Sequence, residues 1–355
     1  MACVLAIDSH AKQDKAPIYQ RLRSHHGHAI SAIFAAEGLR QPSARELAKC
    51  VWQTQPEVIM WSGFTHPRVR GAMAQLALVP IPWLLHADTT DHLLQRSHWK
   101  ALARDSLLRV LYMRSSALAY VGRRSQRHCQ RLAVPERKLF CAPWAVDTTS
   151  FKSEESDRTR LRRICRSELQ VPERRTLLLY CGELTREKDP TRLAHALRAL
   201  PALLRQRATL VFVGDGELAP QLTQLAAAEP LVDVRLVAAK PPAELSAYYH
   251  AADALVLSSR EGEAWGRVVN ESLLHGTPCI VSHQVGCAPD LIVPGETGEV
   301  FEAGNAESLA RAIERIWPRL GTRACRDQAR ARSAGYTVAA AASGLSTAIL
   351  YATRG

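Results

Sequence analysis

The chain has 355 residues, of which 47% are apolar, and a formal net charge of +12. This length allows two domains with large buried cores. No run approaches the roughly 18 apolar residues that a membrane span needs, and the apolar run at the N-terminus is too short and too early for a signal peptide. The basic excess suits nucleic acid, anionic lipid or a phosphorylated substrate.

The positions of the cysteines and arginines argue against a zinc site and against a nucleic-acid-binding protein. The nine cysteines form no C-x-x-C pair and no Cys/His spacing typical of zinc. We therefore expect reduced thiols in a cytosolic protein and no bound metal. The arginines are scattered over predicted helices without an aromatic-basic motif, which argues against nucleic acid as a partner.

Short apolar runs alternate with helical patterns through the first half of the chain. Segments such as WKALARDSLLRVLYM have apolar residues at steps of three and four, which predicts helices. Short, unbroken strands between helices are typical of a parallel sheet covered on both faces. The predicted strands are residues 3–7, 29–34, 57–61, 81–85, 117–121 and 138–142.

A charged segment, residues 152–174, has no strand pattern and is predicted to link two domains. A second alternating series follows it. The sequence therefore predicts two tandem doubly wound α/β domains, residues 1–151 and 175–335, with a site in the cleft between them. The predicted strands of the second domain are residues 176–180, 209–213, 232–237, 254–258 and 278–282.

The loop after the first strand of the second domain carries two cations. In YCGELTREKDPTRLAHAL (180–197), Arg186 and Lys188 follow the strand and precede a helix. Cations at that end of a strand suit a bound phosphate, and solvated surface charge is the alternative. The nearby VGDGEL (213–218) lacks the third glycine of a dinucleotide fingerprint, so it predicts a tight turn from strand to helix.

Two glutamates flank the start of a later helix. Glu263 lies in the loop SREGEAW, and Glu271 lies about a turn and a half into the helix that starts near Gly266. The N-terminus of a helix binds phosphates, and glycine lets a ligand approach the backbone. Carboxylates on both sides of a phosphate site suit the hydroxyls of a nucleoside diphosphate sugar. A solvated loop glutamate and a helix-surface glutamate form the alternative, and the residues alone leave both open.

Residues 258–313, SSREGEAWGRVVNESLLHGTPCIVSHQVGCAPDLIVPGETGEVFEAGNAESLARAI, resemble the donor-site block of GT-B glycosyltransferases of family 4, the group with an E-x7-E motif. LLLYCGELTREKDPTRLAHAL, LVFVGDGEL and AELSAYYHAADALVLSS stand in the family's order. Residues 117–151 resemble the block that closes its N-terminal domain. The resemblance implies a GT-B fold with an N-terminal acceptor domain, a C-terminal donor domain and a final helix, within 336–355, that crosses back to the first domain.

The resemblance also implies an activity. A hexose would move from a nucleotide-diphosphate sugar, such as a UDP- or GDP-sugar, to a glycan or lipid-linked saccharide acceptor. The reaction would retain the anomeric configuration and need neither metal nor cofactor, and it would serve cell-surface polysaccharide or glycolipid synthesis. Glu271 would accept hydrogen bonds from the ribose hydroxyls and Glu263 would contact the hexose. The backbone around Trp265, Gly266 and Arg267 would lie near the sugar and phosphate.

Other roles implied by the resemblance concern charge. Lys188 would hold the diphosphate. Glu183 stands where the family has an arginine, so Arg186 is predicted to pair with Glu183 or to reach the phosphate in that arginine's place. His86 ends a predicted strand of the first domain and would face the cleft, with a purely structural role as the alternative.

The sequence also allows two other functions and predicts a cellular location. Glu183 favours a non-catalytic GT-B partner or regulator as the second hypothesis, and a nucleotide-sugar epimerase on the same fold is the third. Between Arg96 and Lys138 there are eleven Lys or Arg and two acidic residues. This segment predicts salt-sensitive binding to an anionic membrane surface. The expected location is the cytoplasm, with peripheral association at the inner face of the membrane.

Overall fold

The computed structural model of the protein describes residues 1–8, 12–34, 42–63, 66–92, 98–228 and 233–354. It divides into two units, the first formed by Met1–Asp147 with Tyr336–Gly355 and the second by Thr148–Gly335. Each unit contains one six-stranded sheet whose strands alternate along the chain with helices. The predicted α/β architecture of two doubly wound units is therefore confirmed.

The first unit forms its strands where the sequence has unbroken apolar runs. All its strand pairs are parallel, and the middle strands are buried on both faces, as expected for a sheet between helices. The strands are β1 Cys3–Asp8, β2 Ala29–Phe34, β3 Val58–Ser62, β4 Trp83–Ala87, β5 Ala117–Tyr120 and β6 Leu139–Cys141, in the order β2-β1-β3-β4-β5-β6. The helices are α1 Lys12–His26, α2 Ala44–Thr54, α3 Pro67–Gln75, α4 His98–Arg114 and α5 Arg123–Arg131.

The second unit is built in the same way. Its strands are β7 Thr176–Cys181, β8 Ala208–Val213, β9 Asp233–Val237, β10 Ala254–Leu257, β11 Cys279–Ser282 and β12 Gly298–Phe301. Its helices are α6 Glu155–Glu168, α7 Thr191–Ala199, α8 Ala202–Arg207, α9 Ala219–Ala228, α10 Pro242–Ala251, α11 Arg267–Leu274, α12 Ala288–Leu291, α13 Ala306–Ile316 and α14 Arg323–Ser333. Short 3-10 turns occupy Glu136–Lys138 in the first unit, and Thr148–Ser150 and Trp317–Arg319 in the second.

A helix stands where the sequence predicted a linker. Helix α6 carries arginines every fourth residue on its inner side. Arg158 donates to the carbonyl of His275 at 3.2 Å, and Arg162 donates to that of Ala251 at 2.9 Å. Buried Arg166 donates to the carboxylate of Asp253 at 2.7 Å. The inner face of α6 is thus made of guanidinium groups bonded to the ends of other helices, so it has no apolar stripe to reveal it.

The last helix, α15 Val338–Arg354, belongs to the first unit. Leu345 and Ile349 join the core cluster that includes β1, β3 and β5 residues. A Cβ on Gly344 would lie 1.8 Å from the carbonyl oxygen of Cys141, so α15 touches the backbone at the end of β6. Within the described residues, no helix combines the length and apolar character that crossing a membrane requires.

Candidate functional site

The strand order of the second unit defines where a ligand would bind. The sheet runs β12-β11-β10-β7-β8-β9. The chain therefore winds outward from β7 to β9 and then returns to β10 on the other side of β7. In open parallel sheets, ligands bind at such a switch point, beyond the carboxyl ends of the two strands. Here those ends are Cys181 of β7 and Leu257 of β10, followed by the loops 182–190 and 258–266.

The two switch-point loops are bonded to each other. The Arg260 amide donates to the Glu187 carbonyl at 2.7 Å. The hydroxyl of Ser258, which is fully buried, donates to the carbonyls of Lys188 at 3.0 Å and Asp189 at 2.7 Å. These bonds fix the backbone that carries Lys188 against the end of β10. Sequence reasoning did not single out Ser258, because its partners lie 69 and 70 residues away.

Lys188 and Glu263, two of the predicted site residues, are in contact. The ammonium of Lys188 donates to Oε2 of the Glu263 carboxylate, and the hydroxyl of Ser259 donates to the same oxygen at 3.4 Å. The two charged side chains are 23% and 15% exposed, so the pair is partly buried yet reachable from solvent. This arrangement presents one cation and one carboxylate at the switch point.

The loop after β11 is hydrogen-bonded to the backbone of the loop that carries Glu263. The Gly286 amide donates to the Glu263 carbonyl at 3.0 Å, and the Cys287 amide donates to the Trp265 carbonyl at 2.8 Å. A Cβ on Gly286 would lie 1.8 Å from the carbonyl oxygen of Ala264. Gly286 is therefore required for the close approach of these two loops. The sequence signal for it was the glycine in HQVGCAPD, which sequence reasoning did not use.

Gly266 and Trp265 have structural roles that the sequence did not reveal. Gly266 precedes α11 with a φ of 100°, and a Cβ there would lie 2.9 Å from Cγ1 of Val285. The Trp265 side chain is buried, and its indole N–H donates to Oδ1 of Asn270 at 2.9 Å. The expected ligand contact of these two residues thus stays a prediction for their backbone. Arg267 is exposed at the first position of α11.

Glu271 is held by a buried tyrosine. The phenol of Tyr249, on α10, donates to Oε2 of Glu271 at 2.6 Å and contacts Sγ of Cys181 at 3.8 Å. Burial, with Cys181 and Glu271 nearby, raises the pKa of Tyr249 well above its usual value. Tyr249 therefore keeps its proton and acts as a donor. The contact places the Glu271 carboxylate near the end of β7, on the same edge of the sheet as Lys188.

Arg186 does not pair with Glu183. Its guanidinium is 84% exposed, and Nε lies 3.5 Å from Oε1 of Glu217. Glu183 is exposed, and its backbone carbonyl accepts a hydrogen bond from the Tyr180 phenol at 2.8 Å. Of the two roles predicted for Arg186, the ion pair with Glu183 is replaced by one with Glu217, and contact with a bound phosphate stays a prediction.

The segment VGDGEL forms the tight turn that the sequence predicted. A Cβ on Gly214 would lie 1.9 Å from the carbonyl oxygen of Gly182, and one on Gly216 would lie 2.5 Å from that of Leu184. The Leu184 amide donates to the Asp215 carbonyl at 2.9 Å. These glycines allow two loops to stack, and through that contact they shape the loop that carries Lys188.

His86 is the predicted site residue that belongs to the first unit. It lies in β4 and is 3% exposed. The ammonium of Lys15, also buried, lies 3.1 Å from Nδ1 of His86 and 4.7 Å from the centre of the Trp144 ring. A charged lysine can only donate, so Nδ1 of His86 is the acceptor in a contact with the Lys15 ammonium. Nearby in sequence, the Tyr19 phenol donates to the buried Asp8 carboxylate at 2.5 Å.

Comparison with known proteins matches the second unit to an enzyme family. Residues 162–322 match the family model described as glycosyl transferases group 1. The chain is 33% identical over 159 residues to a D-inositol 3-phosphate glycosyltransferase from Corynebacterium efficiens, covering 42% of this chain and 37% of that protein. It is 29% identical over 159 residues to a lipopolysaccharide 1,2-N-acetylglucosaminetransferase from Salmonella typhimurium, covering 42% and 41%. The chain thus spans well under half the length of these curated relatives.

Solved structures resemble the chain over its whole length. A glycosyltransferase from Rickettsia africae matches with a TM-score of 0.74 at 16% identity, over 98% of both chains. The structure of Anabaena Alr3699/HepE in complex with UDP-glucose matches with a TM-score of 0.67 at 19% identity, over 97% of this chain and 98% of that one. These likenesses show the fold, and the predicted GT-B class is confirmed. The switch-point loops of the second unit lie within the segment that matches the family model.

Proposed function

We propose that this protein is a retaining glycosyltransferase that moves a hexose from a nucleotide-diphosphate sugar to a saccharide or lipid-linked saccharide. The observation that carries the proposal is the contact between Lys188 and Glu263 at the switch point of the second unit. The match of residues 162–322 to glycosyl transferases group 1 supports it. A UDP-sugar is the first donor to test, since a structural neighbour was solved with UDP-glucose.

The proposal gives the ion pair a role in both the empty and the loaded site. Without donor, Glu263 neutralises Lys188. A bound diphosphate would draw the ammonium to itself and release the carboxylate to accept hydrogen bonds from hexose hydroxyls. Glu271, oriented by Tyr249, would accept from the ribose hydroxyls, and Arg186 would add a second cation in the same loop.

Charge development explains why a cation is needed at this place. As the glycosidic bond breaks, negative charge grows on the departing diphosphate, and fixed donors stabilise that charge more than the ground state. Lys188 and the N–H groups at the start of α11 would supply this stabilisation. We therefore propose that the reaction requires neither metal nor cofactor.

The proposed acceptor follows from the names of the similar glycosyltransferases, and the proposed location follows from the positive charge of the first unit. The relatives named above act, by their names, on an inositol phosphate and on lipopolysaccharide. We propose that this protein works on cell-surface polysaccharide or glycolipid precursors. It would do so in the cytoplasm, at the anionic inner face of a membrane, to which its basic first unit would bind. We also propose a role in this reaction for His86 of the first unit.

Calorimetry with UDP, GDP and ADP tests the donor site. The parent should bind at least one of them, and Lys188→Met should weaken that binding. Incubation with the matching sugar donor and a saccharide acceptor should give a product whose anomeric proton coupling matches that of the donor. A parent that binds none of the three nucleotides would refute the proposal.

A non-catalytic partner protein is the second candidate. The observation that favours it is the exposed carboxylate of Glu183 in loop 182–190, where a bound diphosphate would meet a like charge. If Glu183→Arg acquires nucleotide binding that the parent lacks, the non-catalytic function replaces the enzymatic one. Nucleotide binding by the parent decides for the enzyme.

A further inference from the structure

Helix α4 is anchored to the first unit by one face. Leu108 and Tyr112 on that face are buried in the core cluster that includes β3 and β4 residues. At the end of the helix, Arg114 donates to the carbonyls of Val79 at 2.7 Å and Ala77 at 3.1 Å. These contacts anchor α4 to the first unit.

The opposite side of α4 exposes a second apolar face. Five side chains there are between 57% and 81% exposed: Trp99, Leu102, Leu107, Val110 and Met113. At 100° per residue they fall within an arc of about 140°. We call these five residues the α4 stripe. Surface helices normally turn polar side chains to water, and a contiguous apolar patch marks an interaction surface.

Basic side chains border the α4 stripe on both sides. Lys100 and Arg109 are exposed, and each lies about 20° beyond one edge of the arc. Lys138 lies at the C-terminal end of the helix, where its ammonium donates to the Ser115 carbonyl at 2.8 Å. Residues 98–138 contain ten Lys or Arg and two acidic residues. An apolar stripe with cationic margins is typical of helices that lie in the interface of anionic membranes.

We propose that the α4 stripe is the surface by which this protein docks on an anionic lipid bilayer, with α4 parallel to the membrane plane. The apolar side chains would enter the boundary between head groups and acyl chains, and Lys100 and Arg109 would contact lipid phosphates. Trp99, at the N-terminal end, is the residue type that membrane interfaces favour. The inference rests on the membrane association proposed above and assigns it to a defined face.

A second copy of the chain fits the α4 stripe less well than lipid does. A symmetric dimer through this face would bring the same patch from both copies together. Lys100 and Arg109 would then face the cations of the other copy, and like charges across an interface are unfavourable. Anionic head groups complement both parts of the surface at once.

Vesicle flotation of the full chain tests the docking surface. The vesicles are an equimolar mixture of phosphatidylcholine and phosphatidylglycerol, or phosphatidylcholine alone. Leu107→Gln/Val110→Gln/Met113→Gln should lower the partition coefficient to the mixed vesicles about a hundred-fold, because three apolar side chains no longer insert. Lys100→Gln/Arg109→Gln should lower it about thirty-fold. Trp52→Gln/Leu203→Gln, which changes exposed apolar residues outside the stripe, should leave it unchanged.

Tryptophan quenching locates the contact directly. Brominated phosphatidylcholine in the mixed vesicles should quench part of the parent's emission, and Trp99→Phe should remove most of that quenching. Equal partition of the parent and the triple variant would overturn the proposal, as would quenching that does not change in Trp99→Phe. Equal binding of the parent to mixed and neutral vesicles would overturn the anionic preference.

Two further measurements separate this proposal from its alternatives. Ultracentrifugation that shows a dimer lost in the triple variant, together with no vesicle binding by the parent, would assign the stripe to a second copy and overturn lipid docking. UDP calorimetry on the same variants should give the parent's affinity, because α4 lies outside the donor unit. If the parent binds vesicles but no nucleotide, the membrane-docking proposal is supported and only the glycosyltransferase proposal is refuted.

Discussion

At the scale of single residues, Tyr249 decides where the Glu271 carboxylate lies. Tyr249→Phe removes only the O–H that donates to Glu271 at 2.6 Å. A hydrogen bond to a charged group contributes about 1.5–3 kcal/mol, so we expect UDP affinity to fall about ten-fold. Glu271→Gln should have a similar effect. Calorimetry measures both, and Tyr248→Phe, the neighbouring tyrosine of α10, is the control. UDP binding unchanged in Tyr249→Phe would contradict the ribose role of Glu271.

Lys188 and Glu263 should respond differently to substitution although they touch. Lys188→Met removes the cation that we propose faces the diphosphate, and turnover should fall on the order of a hundred-fold. Arg186→Ala should cost less, because that guanidinium is 84% exposed and screened by water. Glu263→Gln should bind UDP at least as tightly as the parent, since Lys188 no longer has a competing partner, yet kcat/KM for the sugar donor should fall about ten-fold.

Steady-state kinetics and UDP calorimetry on these three variants check the assignment. Lys240→Met is the matched control, because this lysine pairs with Glu244 within one helical turn and not at the switch point. A Glu263→Gln variant that loses UDP binding and sugar turnover equally would contradict the separate roles of the pair.

Two buried histidines make stability depend on pH. Burial lowers the pKa of His275 to about 3 and that of His250 to about 4. Both values lie below the unfolded pKa of about 6.5. At pH values between the folded and the unfolded pKa, the unfolded chain therefore binds more protons than the folded protein. Stability is therefore complete above pH 6.5 and is lost as pH falls toward the folded values. Each histidine should lower the free energy of unfolding by about 1.4 kcal/mol per pH unit in that window.

Urea denaturation at pH 7.5 and pH 5.0 measures this loss. His275→Gln, which cannot titrate, should reduce the difference between the two pH values by about 2 kcal/mol. His25→Gln, at an exposed position, should leave the difference as it is in the parent. If His275→Gln shows the parent's pH dependence, the titration of His275 is not its cause.

At the scale of elements, α6 depends on buried arginine rather than on apolar contacts. Arg166→Met removes one of the two guanidinium groups that pair with the Asp253 carboxylate, which is 8% exposed, and leaves Arg162 as its remaining cation. A buried charge left uncompensated costs about 3–5 kcal/mol. Arg162 still pairs with Asp253, so we expect a clear fall in the urea midpoint that corresponds to less than this full cost. Arg163→Met, on the exposed side of the same helix, should change it little. Equal effects of the two substitutions would mean that α6 is held by other contacts.

The same element shows which parts of the fold a sequence reveals. Strands such as β1 and β7 were predicted because their apolar runs are buried on both faces. Strand β12 was missed because it has four residues and carries Glu299 in its middle, so no apolar run marks it. Helix α6 was missed because its buried face is charged. The charges of α6 are bonded to residues far along the chain, and Glu299 of β12 is bonded to Gly295 and Arg315. Local apolar periodicity encodes neither set of bonds.

The candidate site also contains residues that the sequence reveals and residues that it does not. Lys188, Glu263 and Glu271 carry charge at loop and helix positions that a sequence displays. Tyr249 and Ser258 look like ordinary residues of a helix and a strand end until their partners are known. Tyr249 reaches Glu271 across 22 residues, and Ser258 reaches the Lys188 carbonyl across 70. The charged groups of the candidate site were therefore visible in the sequence, and the residues that orient them were not.

At the scale of the whole molecule, the chain leaves the first unit at Asp147 and returns to it at Tyr336. The first unit is thus completed only after the second has been made. Its core takes its last apolar side chains from α15, including Leu345 and Ile349. The contact of α15 with β6 depends on Gly344, where any Cβ would lie 1.8 Å from a backbone oxygen.

Gly344→Ala should therefore destabilise one unit and spare the other. The added methyl group must push α15 away from β6, and overpacking of this kind costs about 1–3 kcal/mol or more. We expect a lower thermal midpoint and faster proteolysis within residues 1–147, while the UDP binding that we propose for the second unit should persist at temperatures below that transition. Gly335→Ala is the matched control, because nothing lies within 4 Å of a Cβ at that position. If Gly344→Ala leaves the transition and the proteolysis unchanged, or if both units lose stability together, the first unit does not depend separately on this contact.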